Sequence, residues 1–182
     1  VLYLKNKKGM NNMFNINGFE VKAVNEFRGH DGQPLIQGNL YYNNKKVGFL
    51  SDDDRGGLNT IRIREKDIKQ KFNDTAEKLK GDKESICNAR EFLYETLFFI
   101  KEVERLAKQK AKKNNTEIEQ LKFMFPLEEG KTGLFDSTKR FYILPKTHDE
   151  KRIFKKEEGN DIVIIDATEL INGLETYKIK DL

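Results

Sequence analysis

Phe27-Arg28-Gly29-His30-Asp31-Gly32-Gln33-Pro34-Leu35-Ile36-Gln37-Gly38-Asn39-Leu40-Tyr41-Tyr42-Asn43-Asn44-Lys45-Lys46-Val47-Gly48-Phe49-Leu50 runs directly into Ser51-Asp52-Asp53-Asp54-Arg55-Gly56-Gly57. Two runs rich in aromatic and β-branched residues flank Asn43-Asn44. Asparagine tolerates positive φ, which both central positions of a two-residue type I′ turn demand, so the segment predicts a β-hairpin. Strict pairing from that turn sets Tyr42 against Lys45, Tyr41 against Lys46, Leu40 against Val47 and Gly38 against Phe49. One face then carries Leu40, Val47 and Phe49 as core, and the other carries Tyr41 and Lys46 toward solvent. Gly38 and Gly48 mark strong bending or close approach of another chain.

Working outward, Met13–Arg28 reads as a strand interrupted by the turn signal Asn17-Gly18, and Asn59–Arg64 as a fourth strand with Arg62 and Arg64 outward. Helical spacing follows. Ile68, Phe72, Ala76 and Leu79 predict a helix over Lys66–Lys80. Ile86, Ala89, Leu93, Leu97, Ile100, Val103 and Leu106 predict a long one over about Lys83–Lys112, capped by Asp82 and ended by Asn114-Asn115. Strands are predicted at Leu121–Phe125, Arg140–Leu144 and Asp161–Asp166, with a short helix at Ala167–Gly173. The expected class is α+β: an N-terminal antiparallel sheet with a β-hairpin, a long central helix and a C-terminal β-containing part. The corresponding regions are 1–64, 65–115 and 116–182, in one or two compact domains.

The 182 residues are 37% hydrophobic and 35% charged, with 13 Phe and no Trp. This is a polar chain with an aromatic-weighted core. The net charge of +4 is uneven. Residues 1–64 hold ten Lys/Arg against six Asp/Glu, and residues 114–182 hold eleven against fourteen. A basic front and an acidic back suit contact with nucleic acid on one face and a basic protein on another, and equally suit ordinary surface variation. The single Cys87 excludes an internal disulfide and is expected as a buried, reduced thiol. No apolar run reaches the roughly 18 residues of a membrane helix, and Val1-Leu2-Tyr3-Leu4-Lys5 is far too short for a signal peptide, so a cytoplasmic protein without membrane contact is expected.

Asp52-Asp53-Asp54 is the densest acidic cluster. Carboxylates can hold Mg²⁺, but consecutive residues on an extended segment point opposite ways, so a loop with an Asx turn is the stronger reading. A third reading is contact with an arginine-rich partner. Glu20-Val21-Lys22 has the Glu-x-Lys pattern of some metal-dependent nucleases, although three-residue patterns arise often by chance. His30-Asp31 and His148-Asp149 pair a base with a carboxylate, but adjacent loop residues seldom converge on one atom. Tyr41, Tyr42, Lys45 and Lys46 at the hairpin tip, with Arg62 and Arg64 beside them, form a basic–aromatic group. Lys139-Arg140-Phe141-Tyr142 form a second. Aromatic faces stack on unpaired bases while cations neutralise phosphates. The plain alternative is a solvated hairpin edge guarded by lysine.

Gly29-His30-Asp31-Gly32, Gly38-Asn39-Leu40-Tyr41, Lys45-Lys46-Val47-Gly48-Phe49 and Ser51-Asp52-Asp53-Asp54-Arg55-Gly56-Gly57 resemble small proteins from mobile elements and phages of low-GC Gram-positive bacteria. Among these the chain is most similar to type II-A anti-CRISPR proteins, which inhibit Cas9. The resemblance covers mainly residues 13–64. It implies a bacterial host cell as the setting and Cas9 and its guide RNA as partners, with the guide shortened in one subgroup, no catalytic motif in this chain and no cofactor. Lys45, Lys46, Tyr41 and Tyr42 would then touch nucleic acid, and Asp52, Asp53 and Asp54 would face arginines of the nuclease. The alternatives are a metal-dependent RNA nuclease, which would need Mg²⁺, and a DNA-binding accessory protein of a mobile element.

Overall fold

The structure, a computed structural model, describes residues 14–80, 85–127 and 141–176. Strands β1 (Phe19–Arg28), β2 (Pro34–Tyr42), β3 (Lys45–Ser51) and β4 (Thr60–Ile63) form an antiparallel sheet in that order. Helices α1 (Lys66–Lys80) and α2 (Ile86–Asn114) follow. A second antiparallel sheet has the order β6-β5-β7, from β5 (Leu121–Pro126), β6 (Tyr142–Pro145) and β7 (Ile162–Asp166). The short helices α3 (Lys151–Lys156) and α4 (Ala167–Ile171) bracket β7 in sequence. The expected α+β class, with an N-terminal antiparallel sheet, a long helix and a C-terminal sheet, is what the molecule shows.

Asn17-Gly18 turns the chain ahead of β1, with φ of 47° and 83°. The start expected at Met13 lies outside the described residues, and the strand begins at Phe19. Asn43 and Asn44 take φ of 46° and 70°, as the type I′ turn requires. Tyr42 pairs with Lys45 and Tyr41 with Lys46, as expected. The next two pairs differ. Val47 is an extra, unpaired residue, so Leu40 faces Gly48, Asn39 faces Phe49 and Gly38 faces Leu50. This bulge reverses the alternation beyond it. Leu50, not Phe49, enters the core, where it is fully buried.

The physical reason lies at Gly48. A Cβ on this residue would sit 2.2 Å from the Arg62 carbonyl oxygen, so only glycine allows β4 to lie where it does. Gly38 plays a similar part on the core face, where a Cβ would meet Val21 at 2.5 Å and Phe98 of α2 at 3.4 Å.

α2 is the spine. Ala89, Leu93, Leu97, Ile100, Val103, Ala107 and Ala111 are buried along one stripe. Ser85 caps its first turn by accepting from the Asn88 N–H, whereas the expected cap Asp82 lies outside the described residues. Asn115, at φ 49°, closes the helix: its N–H donates to Lys112 O and that of Thr116 to Ala111 O. Cys87 is exposed, which corrects the expectation of a buried thiol. It stands two residues before Ala89, about 200° around the helix from the buried stripe. One hydrophobic cluster runs from Phe14 through both sheets and both long helices to Leu174.

A buried carboxylate is held by two lysines within α2. Glu104 is buried and binds Lys101 at 2.9 Å and also Lys108. Burial by itself raises the Glu104 carboxyl, but the two lysines outweigh it and hold it below the usual 4.5. Its stabilising contribution is therefore present above that value and fades as pH falls through the lowered one. Glu104→Gln should lower stability at pH 7 by about 1–2 kcal/mol, with both lysines partly solvated. Thermal melts at pH 7 and pH 3 check this: the gap from wild type should shrink at the lower pH.

Candidate nucleic-acid interface

The bulge at Val47 decides what faces outward. One cross-strand row on the outer face reads Lys22–Asn39–Phe49–Arg62 over all four strands, and the next reads Glu20–Tyr41–Lys46. Rows on the inner face read Val21–Leu40–Gly48–Ile63 and Gly38–Leu50–Ile61. Among the outward residues, Asn39, Lys46, Phe49, Arg62, Arg64 and Glu65 border a 530 Å³ cavity, which Val47 and Gly48 also line.

The cations here differ in how far they are already engaged. Lys46, Arg62 and Arg64 are exposed, and none has an ion pair among the described residues. Lys45 does not line the cavity and binds Glu65 on its border at 2.9 Å, a contact that raises the pKa of its ammonium. Tyr42 is also occupied: its ring packs 4.7 Å from that of Phe19, and Lys71 sits 5.1 Å from its centre. Tyr41 stays half-exposed beside Lys46, with the Lys22 ammonium 4.7 Å from its ring centre. The sheet thus brings Lys46, Arg62, Arg64 and Tyr41 to one face, while Lys45 and Tyr42 engage partners within the fold.

Phe49 is the residue that the sequence reading misplaced. Strict alternation assigns it to the core, yet it is half-buried and lines the cavity among the three cations. Gly48 within a strand was the available signal for a bulge.

The three aspartates lie at the far end of β3 from the tip, about 20 Å along the strand. Each carboxylate is engaged within the fold. Asp52 accepts from the Ile36 N–H at 2.7 Å and from the Tyr94 hydroxyl at 2.6 Å, tying the sheet to α2. Burial first, and the Asp52 carboxylate second, push the Tyr94 phenol upward. Asp53 accepts from the N–H groups of Arg55 and Gly57, the Asx-type turn expected for this loop. Asp54 accepts from the His30 N–H at 2.5 Å and joins the two loops at that end of the sheet. Asp52→Ala would leave a buried phenol and the Ile36 N–H without this partner and should cost about 2–3 kcal/mol. Chemical denaturation checks this, and Tyr94→Phe should cost less because it leaves the backbone bond intact.

The other sequence candidates scatter. Glu20 is buried, 3.0 Å from Lys22, and desolvation raises its carboxyl. His30-Asp31 sits in the turn closed by Gly32 N–H on Gly29 O, and His148 in the turn after β6. In the second basic–aromatic group, Lys139 and Arg140 lie outside the described residues. Phe141 packs on Phe99 and Phe125, and the Tyr142 hydroxyl donates to Glu157. Among the described residues no three His, Cys, Asp or Glu side chains gather as a metal site. No described helix is long and apolar enough to cross a membrane.

No protein-family model, curated protein or solved structure matches the chain.

Proposed function

We propose that the outer face of the four-stranded sheet binds single-stranded nucleic acid and that its ligand is the guide RNA of a Cas9 complex, which the protein inhibits. One observation carries the binding reading: Lys46, Arg62 and Arg64, without ion pairs among the described residues, surround a cavity with Phe49 in its wall. Unengaged cations attract phosphates, and an aromatic wall receives an unstacked base. A cavity of 530 Å³ suits a nucleotide-sized group. The choice of guide RNA and of Cas9 rests on the resemblance of residues 13–64. Cas9 holds its guide through backbone and shape in a basic channel, so a protein that grips exposed guide nucleotides competes with that channel.

No chemical step is assigned to this chain. Glu65 on the cavity border and Glu20 in the outer row stand against Lys45 and Lys22. The test is co-purification of the protein with Cas9, with and without guide. Guide-dependent retention is the expected result, and equal retention without guide would overturn the RNA reading. Chelator-sensitive cutting of RNA by the protein alone would make it a nuclease instead. Tighter binding to duplex DNA than to single strands, without effect on Cas9, would favour the accessory-protein alternative.

A further inference from the structure

The second sheet leaves an edge beside a basic helix end. β6 pairs with β5 on one side, Leu121 to Pro145 through Met124 to Tyr142, and no strand covers its other side among the described residues. A 600 Å³ groove is lined there by Leu106, Gln109, Lys110 and Lys113 of α2 and by Phe141, Tyr142, Ile143 and Leu144. Consecutive strand residues point to opposite faces. A groove that touches four in a row runs along the edge, where the backbone is.

The backbone phase can be read. Lys146 N–H donates to Gln120 O at 2.7 Å, which continues the β5–β6 register by one pair. In an antiparallel ladder, alternate residues turn both polar groups to the partner. Leu144 and Tyr142 therefore face β5, and Ile143, with Phe141 in the same phase, presents its N–H and C=O to the groove. Pro145 ends the row, since it has no N–H to offer.

Charge selects the occupant. Lys101 and Lys108 are engaged by Glu104, and Arg105 by Glu102. Lys110 and Lys113 have no ion pair among the described residues, and both line the groove. Leu106, Phe141 and Ile143 supply apolar wall between them and the strand.

We infer that the groove between the C-terminal turns of α2 and the edge of β6 is a docking site for an extended acidic peptide of a protein partner, which adds as a strand beside β6. Main-chain bonds to Ile143 supply affinity, and Lys110 and Lys113 select carboxylates on alternate side chains. This surface is separate from the cationic face of the first sheet.

Two blocked nine-residue peptides, one alternating Glu with Val and one alternating Lys with Val, serve as probes of the full-length protein. Amide hydrogen exchange should slow at Ile143 when the Glu peptide is added, with Tyr142 and Leu144 unchanged. K110E/K113E should weaken that peptide at least tenfold. With unaltered protein, N-methylation of the peptide amides that face β6 should abolish binding, and methylation of the intervening ones should not. Equal binding of the Glu and Lys peptides, protection away from β6, or indifference to the N-methyl phase would each overturn the inference. Slower Ile143 exchange at higher protein concentration without peptide would assign the edge to a second copy and overturn it as well.

Discussion

Lys46→Glu/Arg62→Glu/Arg64→Glu is expected to lose single-stranded RNA binding almost completely while keeping its fold. These three cations line one cavity and none is held by a carboxylate among the described residues. Hydrogen bonds to charged groups contribute about 1.5 kcal/mol each at the lower end, so losing three corresponds to roughly a thousandfold in affinity. Charge reversal adds repulsion on top. All three side chains are exposed, and substitutions of that kind usually change stability by under about 0.5 kcal/mol. Fluorescence anisotropy with a labelled single strand reads the affinity, and a thermal melt reads the fold. Lys45→Glu is the internal control. It reverses the same charge one residue away, but Lys45 is already paired with Glu65 on the cavity border and does not itself line the cavity. Its effect should be several-fold at most. A Lys45 effect equal to that of Lys46 would move the site to the hairpin tip.

Gly48→Ala should damage the same site without touching a charge. The added methyl would sit 2.2 Å from the Arg62 carbonyl oxygen, which belongs to the backbone of the neighbouring strand and cannot rotate away. β4 must shift, and it carries Arg62 and leads to Arg64. Overpacking of this kind costs about 1–3 kcal/mol, and the backbone contact places this site at the upper end. Urea unfolding should show that loss, and RNA affinity should fall in the fraction that remains folded. Gly32→Ala is the contrasting variant. Its Cβ would meet nothing within 4 Å, although its φ of +76° still strains an alanine. Its loss in stability should therefore come without loss of RNA affinity. Unchanged stability in Gly48→Ala would show that β4 is free to move, and the cavity would then not be preformed.

What was legible in the sequence follows from how local each cause is. Asn43-Asn44 specifies its turn by backbone preference alone, so the first two hairpin pairs could be placed from sequence. The bulge at Val47 depends on β4 packing against Gly48, a contact between segments, and pure alternation therefore placed Phe49 in the core. The α2 stripe has helical period over many turns and stood out. Cys87 sits in the first turn, off that stripe, where helical character alone says nothing about burial. α3 has six residues, four of them charged, too few to show a period, and was not anticipated.

The candidate site was half legible. Residue types placed Lys46, Arg62 and Arg64 on one surface. They could not show that Lys45 is drawn to Glu65 or that Tyr42 packs on Phe19 and Lys71. The aspartate loop was readable as an Asx-type turn. The use of Asp52 to bind Tyr94, 42 residues on, needed the tertiary structure.

The central claim is that three cations of one sheet face grip a single-stranded backbone. Its most direct measurement is the salt dependence of single-stranded RNA binding by the unaltered protein. Three phosphate contacts predict that log K falls against log[salt] with a slope of about −2, and that Arg62→Ala reduces its magnitude by about 0.7. A slope near zero, or one that Arg62→Ala leaves unchanged, would contradict the account.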